Sequence, residues 1–166
     1  MSFSHTHAER QSHPVDVVEL VASARDWAFE RSCEDEIAMS VAGLWADYSV
    51  SYSWLEDCEA LHLGCAFDMK IPEHRLIEVL KLLSKINEQL LVGHFDLWMH
   101  QGAVMYRNTL LLCGGAEPTG EQAERLISAA LEACEKYYQA FQFVIWSNKD
   151  ADAAMACSLF ETVGEA

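Results

Sequence analysis

Leu44-Trp45-Ala46-Asp47-Tyr48-Ser49-Val50-Ser51-Tyr52-Ser53-Trp54, residues 44–54, carries the clearest periodicity in the chain. Its alternate positions separate into Leu44, Ala46, Tyr48, Val50, Tyr52 and Trp54 on one side and Trp45, Asp47, Ser49, Ser51 and Ser53 on the other. A period of two is the signature of a strand with one face in a core and one near water. A pleated sheet with an apolar side and a polar side is therefore the starting point.

The same period extends in both directions. Ile37, Met39 and Val41 alternate with Glu36, Ala38 and Ser40, and Leu61, Leu63, Cys65, Phe67 and Met69 alternate with His62, Gly64, Ala66 and Asp68. Trp27, Phe29 and Arg31 predict an earlier strand, with Glu34-Asp35 turning the chain and Glu56-Asp57 turning it again later. Further on, residues 94–99 and the set Val104, Tyr106, Asn108, Leu110 and Leu112 predict a hairpin about Gln101-Gly102.

Helical spacing occupies the intervals. Pro14 starts a short helix with Val17, Val18, Val21 and Ala24 as its stripe, ending near Arg25. Pro72 opens a second, carrying Leu76, Val79, Leu80, Leu83, Ile86, Leu90 and Leu91, with Gly93 as its terminating residue. Thr119 and Gln122 form a capping-box pattern before a long segment reaching Trp146, unbroken or bent near Gln139. Asp150 caps a last helix with Met155, Leu159 and Phe160. The expected order is α-β-β-β-β-α-β-β-α-α, an α+β domain with helices on one face of an antiparallel sheet.

The chain has 166 residues, of which 51% are hydrophobic and 22% charged, values that suit one packed domain. Residues 1–13 read as a disordered polar leader and residues 14–166 as the domain. With 26 acidic and 11 basic side chains the net charge is −15, which repels nucleic acid and anionic membrane. Six scattered cysteines without a Cys-x-x-Cys pair read as core residues in a reducing compartment, so cytoplasmic residence is expected. No apolar run has the length of a signal peptide or a membrane span.

Trp45-Ala46-Asp47-Tyr48, Gly64-Cys65-Ala66-Phe67-Asp68-Met69, Gly93-His94-Phe95-Asp96-Leu97-Trp98, Phe141-Gln142-Phe143-Val144-Ile145-Trp146 and the terminal Thr162-Val163-Gly164-Glu165-Ala166 resemble the YbjN family, labelled as bacterial sensory transduction regulators. The resemblance runs from about Trp27 to Trp146. It implies a fold similar to the chaperones of type III secretion, small acidic proteins that act as homodimers and hold an extended client. It implies binding and supplies no catalytic residue, and the tail beyond Trp146 departs from those chaperones.

Candidate sites follow from both readings. Trp45 and Trp98 fall on polar strand faces, where an exposed indole can anchor a partner or can cover an edge. Phe141 and Trp146, with Tyr138 and Phe143, exceed what one apolar stripe requires, and can dock the last helix or build a subunit interface. Asp47, His62, Asp68, His94, Asp96 and Arg107 complete the candidate partner-binding set.

The alternative is a small-ligand or metal-binding protein, an enzyme included, with its site near His62, Asp68, His94, Asp96 and Arg107. Their spacing is no metal motif, and His5, His7 and His13 lie in the leader without a scaffold. No nucleophile elbow or phosphate loop is present. The reading is thus non-enzymatic: no cofactor, no metal, an unknown protein or peptide partner, a homodimer, no nucleic acid and no membrane.

Overall fold

The computed structural model describes residues 10–163. Helix α1 (Pro14–Ala24) precedes four strands, β1 (Phe29–Cys33), β2 (Glu36–Ala42), β3 (Asp47–Leu55) and β4 (Ala60–Phe67). Helix α2 (Leu76–Gln89), the hairpin β5 (His94–Trp98) and β6 (Ala103–Leu111), and helices α3 (Gly120–Ile145) and α4 (Ala151–Val163) follow. All pairings are antiparallel, in one six-stranded sheet of order β1-β2-β3-β4-β6-β5. The chain is α+β in the expected element order. Among the described residues, no helix is long and apolar enough to cross a membrane.

Alternation decides what is buried. On β3, Tyr48, Val50, Tyr52 and Trp54 point into the core while Asp47, Ser49, Ser51 and Leu55 are exposed. The covered side receives α1 against β2 and β3, α3 against β4 and β6, and α2 against β5, with α4 closing over α2 and α3. A ring cluster joins the layers: Phe67 meets Tyr48, Tyr138 and Phe141, and Phe95 meets Tyr106, Tyr137 and Phe141. Edge-to-face rings of this kind add to the area they bury. The Tyr52 hydroxyl donates to the Ala123 carbonyl (2.6 Å), so a buried polar tip costs nothing and pins α3 to β3.

Several expectations are corrected. Leu44, Trp45 and Ala46 form a turn rather than strand: Gly43 N donates to the Ala46 carbonyl (2.9 Å), and Leu44 is exposed. That turn needs Gly43, because a Cβ there would stand 2.1 Å from Glu135 Oε1 and 2.2 Å from the Tyr48 ring. Glu135 Oε1 instead accepts from Leu44 N (2.6 Å), tying the turn to α3. Alternation alone could not see the glutamate.

The second helix starts with a 3-10 turn, Glu73–Arg75, and ends at Gln89, short of Gly93. Its end is set by Asn87, whose amide donates to the Phe95 carbonyl (2.9 Å) and accepts from Phe95 N (2.8 Å). The buried stripe is Val79, Leu82, Leu83 and Ile86, and Leu80 and Leu91 are exposed. Gly93 serves another purpose: its φ is +66°, and a Cβ would lie 2.2 Å from the Tyr106 hydroxyl.

Helix α3 is unbroken past Gln139, and its Thr119–Gln122 capping box is present. Its far end is held by Arg75, a buried cation whose Nε donates to the Val144 carbonyl (2.7 Å) and whose other nitrogen reaches the Lys149 carbonyl (2.5 Å). Cations suit helix C-termini, where carbonyls lack intrahelical partners. Asp150 accepts from Ala153 N (2.8 Å) at the start of α4. On that helix Met155 is buried, whereas Leu159 and Phe160 remain exposed.

The contacts of the domain also include residues before Pro14. Arg10 pairs with Glu59 (2.7 Å), donates to the Leu112 and Ala116 carbonyls and stacks over Trp54. His13 caps α1 by accepting from Val15 N (3.2 Å). Arg10 to His13 thus belong to the fold, while His5 and His7 lie outside the described residues.

Candidate functional site: an open sheet face and an apolar groove

The uncovered face of the sheet collects the alternate residues that the core rejects. Cross-strand register places Ser51, Gly64, Arg107 and His94 in one row, Ser53, His62 and Thr109 in the next, and Ser49, Ala66, Met105 and Asp96 on the other side. Four of the candidate residues therefore meet. Arg107 pairs with Asp96 (3.0 Å), His62 Nδ1 stands 2.9 Å from the Thr109 hydroxyl, and Arg107 Nε points at His62 Nε2 from 3.5 Å.

These contacts fix what the cluster can do. A guanidinium aimed at Nε2 requires a lone pair there, which leaves the proton on Nδ1, facing Thr109. Burial, then the Arg107 charge, then His94 hold the His62 imidazole below its ordinary pKa. A neutral histidine whose Nδ1 already carries a proton cannot take one from the threonine, so this geometry does not make His62 a base towards Thr109. It makes a patterned surface of donors and one fixed cation.

The other candidates are dispersed. Asp47 starts β3 on the same face, opposite Ala42, and Asp68 lies just beyond the end of β4, outside the His62 cluster. Trp98, 40% exposed, ends β5 on this face beside Ala103. Trp45 is 44% exposed in its turn, and Trp146 is 61% exposed at the end of α3. Phe141 is the correction: it is fully buried among Phe67 and Phe95 and offers no surface. Among the described residues no three His, Cys, Asp or Glu side chains are grouped to hold a metal ion.

A second surface was not visible in the sequence. Strand β5 pairs with β6 only as far as His94 opposite Arg107, so among the described residues Asn108 to Leu111 have β4 on one side and no strand on the other. Leu112 N donates to the Glu59 carbonyl (2.8 Å), and hydrogen-bonded and open positions alternate along an antiparallel pair. The backbone groups of Thr109 and Leu111 therefore face the free edge. Thr109 N is occupied by the Asn108 side chain (2.8 Å).

Against this edge lies a groove of about 500 Å³, lined by Leu90, Leu91, Val92, Leu110, Leu126 and Tyr137, with Arg125, Glu132 and Lys136 along its rim. Leu91 and Val92 are exposed around it. The only trace of this groove in the sequence was Leu90-Leu91-Val92, apolar residues that a helical reading absorbed into α2.

Sheet, helical roof and two uncovered surfaces define an α+β binding scaffold. A sequence profile of the YbjN family, described as "Putative bacterial sensory transduction regulator", matches residues 14–143, and the chain belongs to that family. No curated protein sequence matches it. Among solved structures it is similar to YbjN from E. coli, whose description is "a putative transcription regulator", with a TM-score of 0.53 at 12% identity over 81% of this chain and 90% of that one. It is also similar to a chain of the ExsC-ExsE complex, with a TM-score of 0.49 at 17% identity over 75% of this chain and 92% of that one. At 12% identity the likeness to YbjN is one of fold.

Proposed function

We propose that this protein is a non-enzymatic regulatory binding module, a cytoplasmic homodimer that holds an extended segment of a partner protein. The observation that supports this reading is the apolar groove beside the unpaired stretch of β6. An incoming strand finds backbone partners at Leu111 and apolar walls for alternate side chains, the combination used when a peptide is added to a sheet edge. The −15 charge favours a basic or neutral partner and disfavours nucleic acid and anionic membrane. No cofactor is needed for such a role. Trp45, Trp98 and Trp146 add exposed indoles outside the groove that can extend the contact.

Affinity capture from the source cytoplasm, followed by mass spectrometry, tests this with wild-type protein against Leu91→Glu, at an exposed residue of the groove wall, and Trp98→Ala. The expected result is a partner retained by wild type and lost on Leu91→Glu, whose addition slows amide exchange at residues 110–112. The same captured proteins for wild type and Leu91→Glu, with no exchange protection at that edge, would exclude the groove as the binding site.

A further inference from the structure

We infer that Cys58 and Cys113 form a surface dithiol site that reacts with low-molecular-weight disulfides and closes to a disulfide within the chain. Composition placed the cysteines in the core, yet both of these are exposed. They lie 55 residues apart in sequence, and the Cys113 thiol rests against the Cys58 carbonyl at 3.9 Å. Neither sulfur belongs to the lining of the groove beside β6.

The frame around the pair is built by Glu59. The register that sets Ala60 opposite Leu111 continues one residue further, where Leu112 N donates to the Glu59 carbonyl (2.8 Å). Gly114 N donates to the Glu59 carboxylate (3.1 Å), so Cys113 is held between two bonds to the residue that follows Cys58. Arg10 pairs with the same carboxylate (2.7 Å) and donates to the Leu112 carbonyl (2.7 Å), which ties both segments to a third. Backbone at positive φ makes the bends, with Glu59 at +47° and Gly114 at +74°. Facing positions of antiparallel segments stand about 4.5–5.5 Å apart at Cα, inside the span of about 4.4–6.8 Å that a disulfide takes. Closure asks that the Cys113 thiol turn from the Cys58 carbonyl to the Cys58 sulfur, a rotation of an exposed side chain.

The chemistry is two successive exchanges. The thiolate of one cysteine attacks a sulfur of the small disulfide, forming a mixed disulfide and expelling one small thiolate. The thiolate of the other cysteine then attacks the protein sulfur of that bond and expels the second. The protons given up by the two cysteines end on the two released thiols, so the protein is oxidised by two electrons and the reagent is reduced by two. Glu56, Asp57 and Glu59 flank Cys58 and Glu117 follows Cys113, so neutral or cationic disulfides are favoured over anionic ones. Cys65 and Cys134 form the other close pair, with sulfurs 3.7 Å apart, but both are buried where a reagent does not reach them. Cys33 is exposed opposite Glu36 and has no thiol across from it on β2.

Timed exposure of reduced full-length protein to neutral 2-hydroxyethyl disulfide tests the assignment, with free thiols alkylated at each time and unreduced peptides read by mass spectrometry. The first disulfide within the chain is expected to join Cys58 to Cys113. The mixed disulfide at Cys58 should be about tenfold or more less abundant in wild type than in Cys113→Ser, because a fixed neighbour resolves it at high effective concentration. Cys33 should hold its mixed disulfide equally in both proteins. In denaturant the difference at Cys58 should shrink, since the Glu59 frame is then lost. Equal adducts at Cys58 in wild type and Cys113→Ser, or a first bond between Cys65 and Cys134, would overturn the site. A difference at Cys58 that is unchanged in denaturant would show that the fold does not position the pair, and would overturn it equally.

Discussion

The two faces of the sheet are made by alternate residues of the same strands, yet they obey different physics. The covered face is chosen by volume: Tyr48, Tyr52, Leu61, Leu63, Cys65 and Phe67 fill the space beneath α1 and α3 and are almost fully buried. The open face is chosen by smallness and polarity: Ser49, Ser51, Gly64 and Ala66 lie flat between Glu30 and Glu36 on one side and the Arg107–Asp96 pair with His62 on the other. One face therefore holds the molecule together, and the other is available for recognition. A substitution on the first is felt in stability, and one on the second leaves stability nearly unchanged.

That contrast can be broken by experiment. Phe141→Ala, at the centre of the covered face, is expected to cost about 3–5 kcal/mol in denaturant unfolding, because the ring meets both Phe67 and Phe95 and leaves a cavity. A loss below about 1 kcal/mol would mean that the ring cluster is not the seam between helix and sheet. Arg75→Met is expected to cost about 1–3 kcal/mol, since the Val144 and Lys149 carbonyls lose their donor. Faster amide exchange should then be confined to the end of α3 and to α4.

On the open face the expected effects are smaller. His62 has its pKa lowered in the folded state, so the unfolded chain binds the proton more readily than the native one. Its contribution is intact above the unfolded value of 6.5 and is lost as pH falls from there through the depressed folded value. His62→Gln should flatten stability against pH in that window, and an unchanged profile would count against the buried, Arg107-facing imidazole. Ser51→Ala, on the same face, should alter stability by no more than about 0.5 kcal/mol. Thiol labelling gives a parallel check: Cys33, Cys58 and Cys113 are exposed and should react well before Cys65 and Cys134. Cys134 is further protected because the neighbouring Cys65 and burial push its thiol pKa up.

Much of this architecture was written in local order. A period of two from Asp47 to Trp54 specifies a strand and both of its faces, since successive side chains of an extended chain must point oppositely. The Thr119 and Gln122 pair fixes where α3 begins for a reason contained within four residues. His62, His94, Asp96 and Arg107 could be placed on polar strand faces from alternation alone, though their meeting depended on register between strands far apart in the chain. Phe141 falls among the partner-binding candidates because nothing local distinguishes a ring that faces Phe67 from one that faces a partner.

Local patterning and composition were enough for element type, element order, the polar and apolar sides of each strand, and the acidic character that governs encounters at long range. Packing alone shows that α2 ends at Gln89, that Arg75 closes α3, and that β5 stops short and leaves a groove beside β6. Each of these depends on groups remote in sequence: Asn87 needs the backbone of Phe95, Arg75 needs carbonyls some seventy residues away, and the free edge exists only because of where β5 begins. Periodicity records what one segment prefers, whereas an edge, a cap or a groove is a relation between segments.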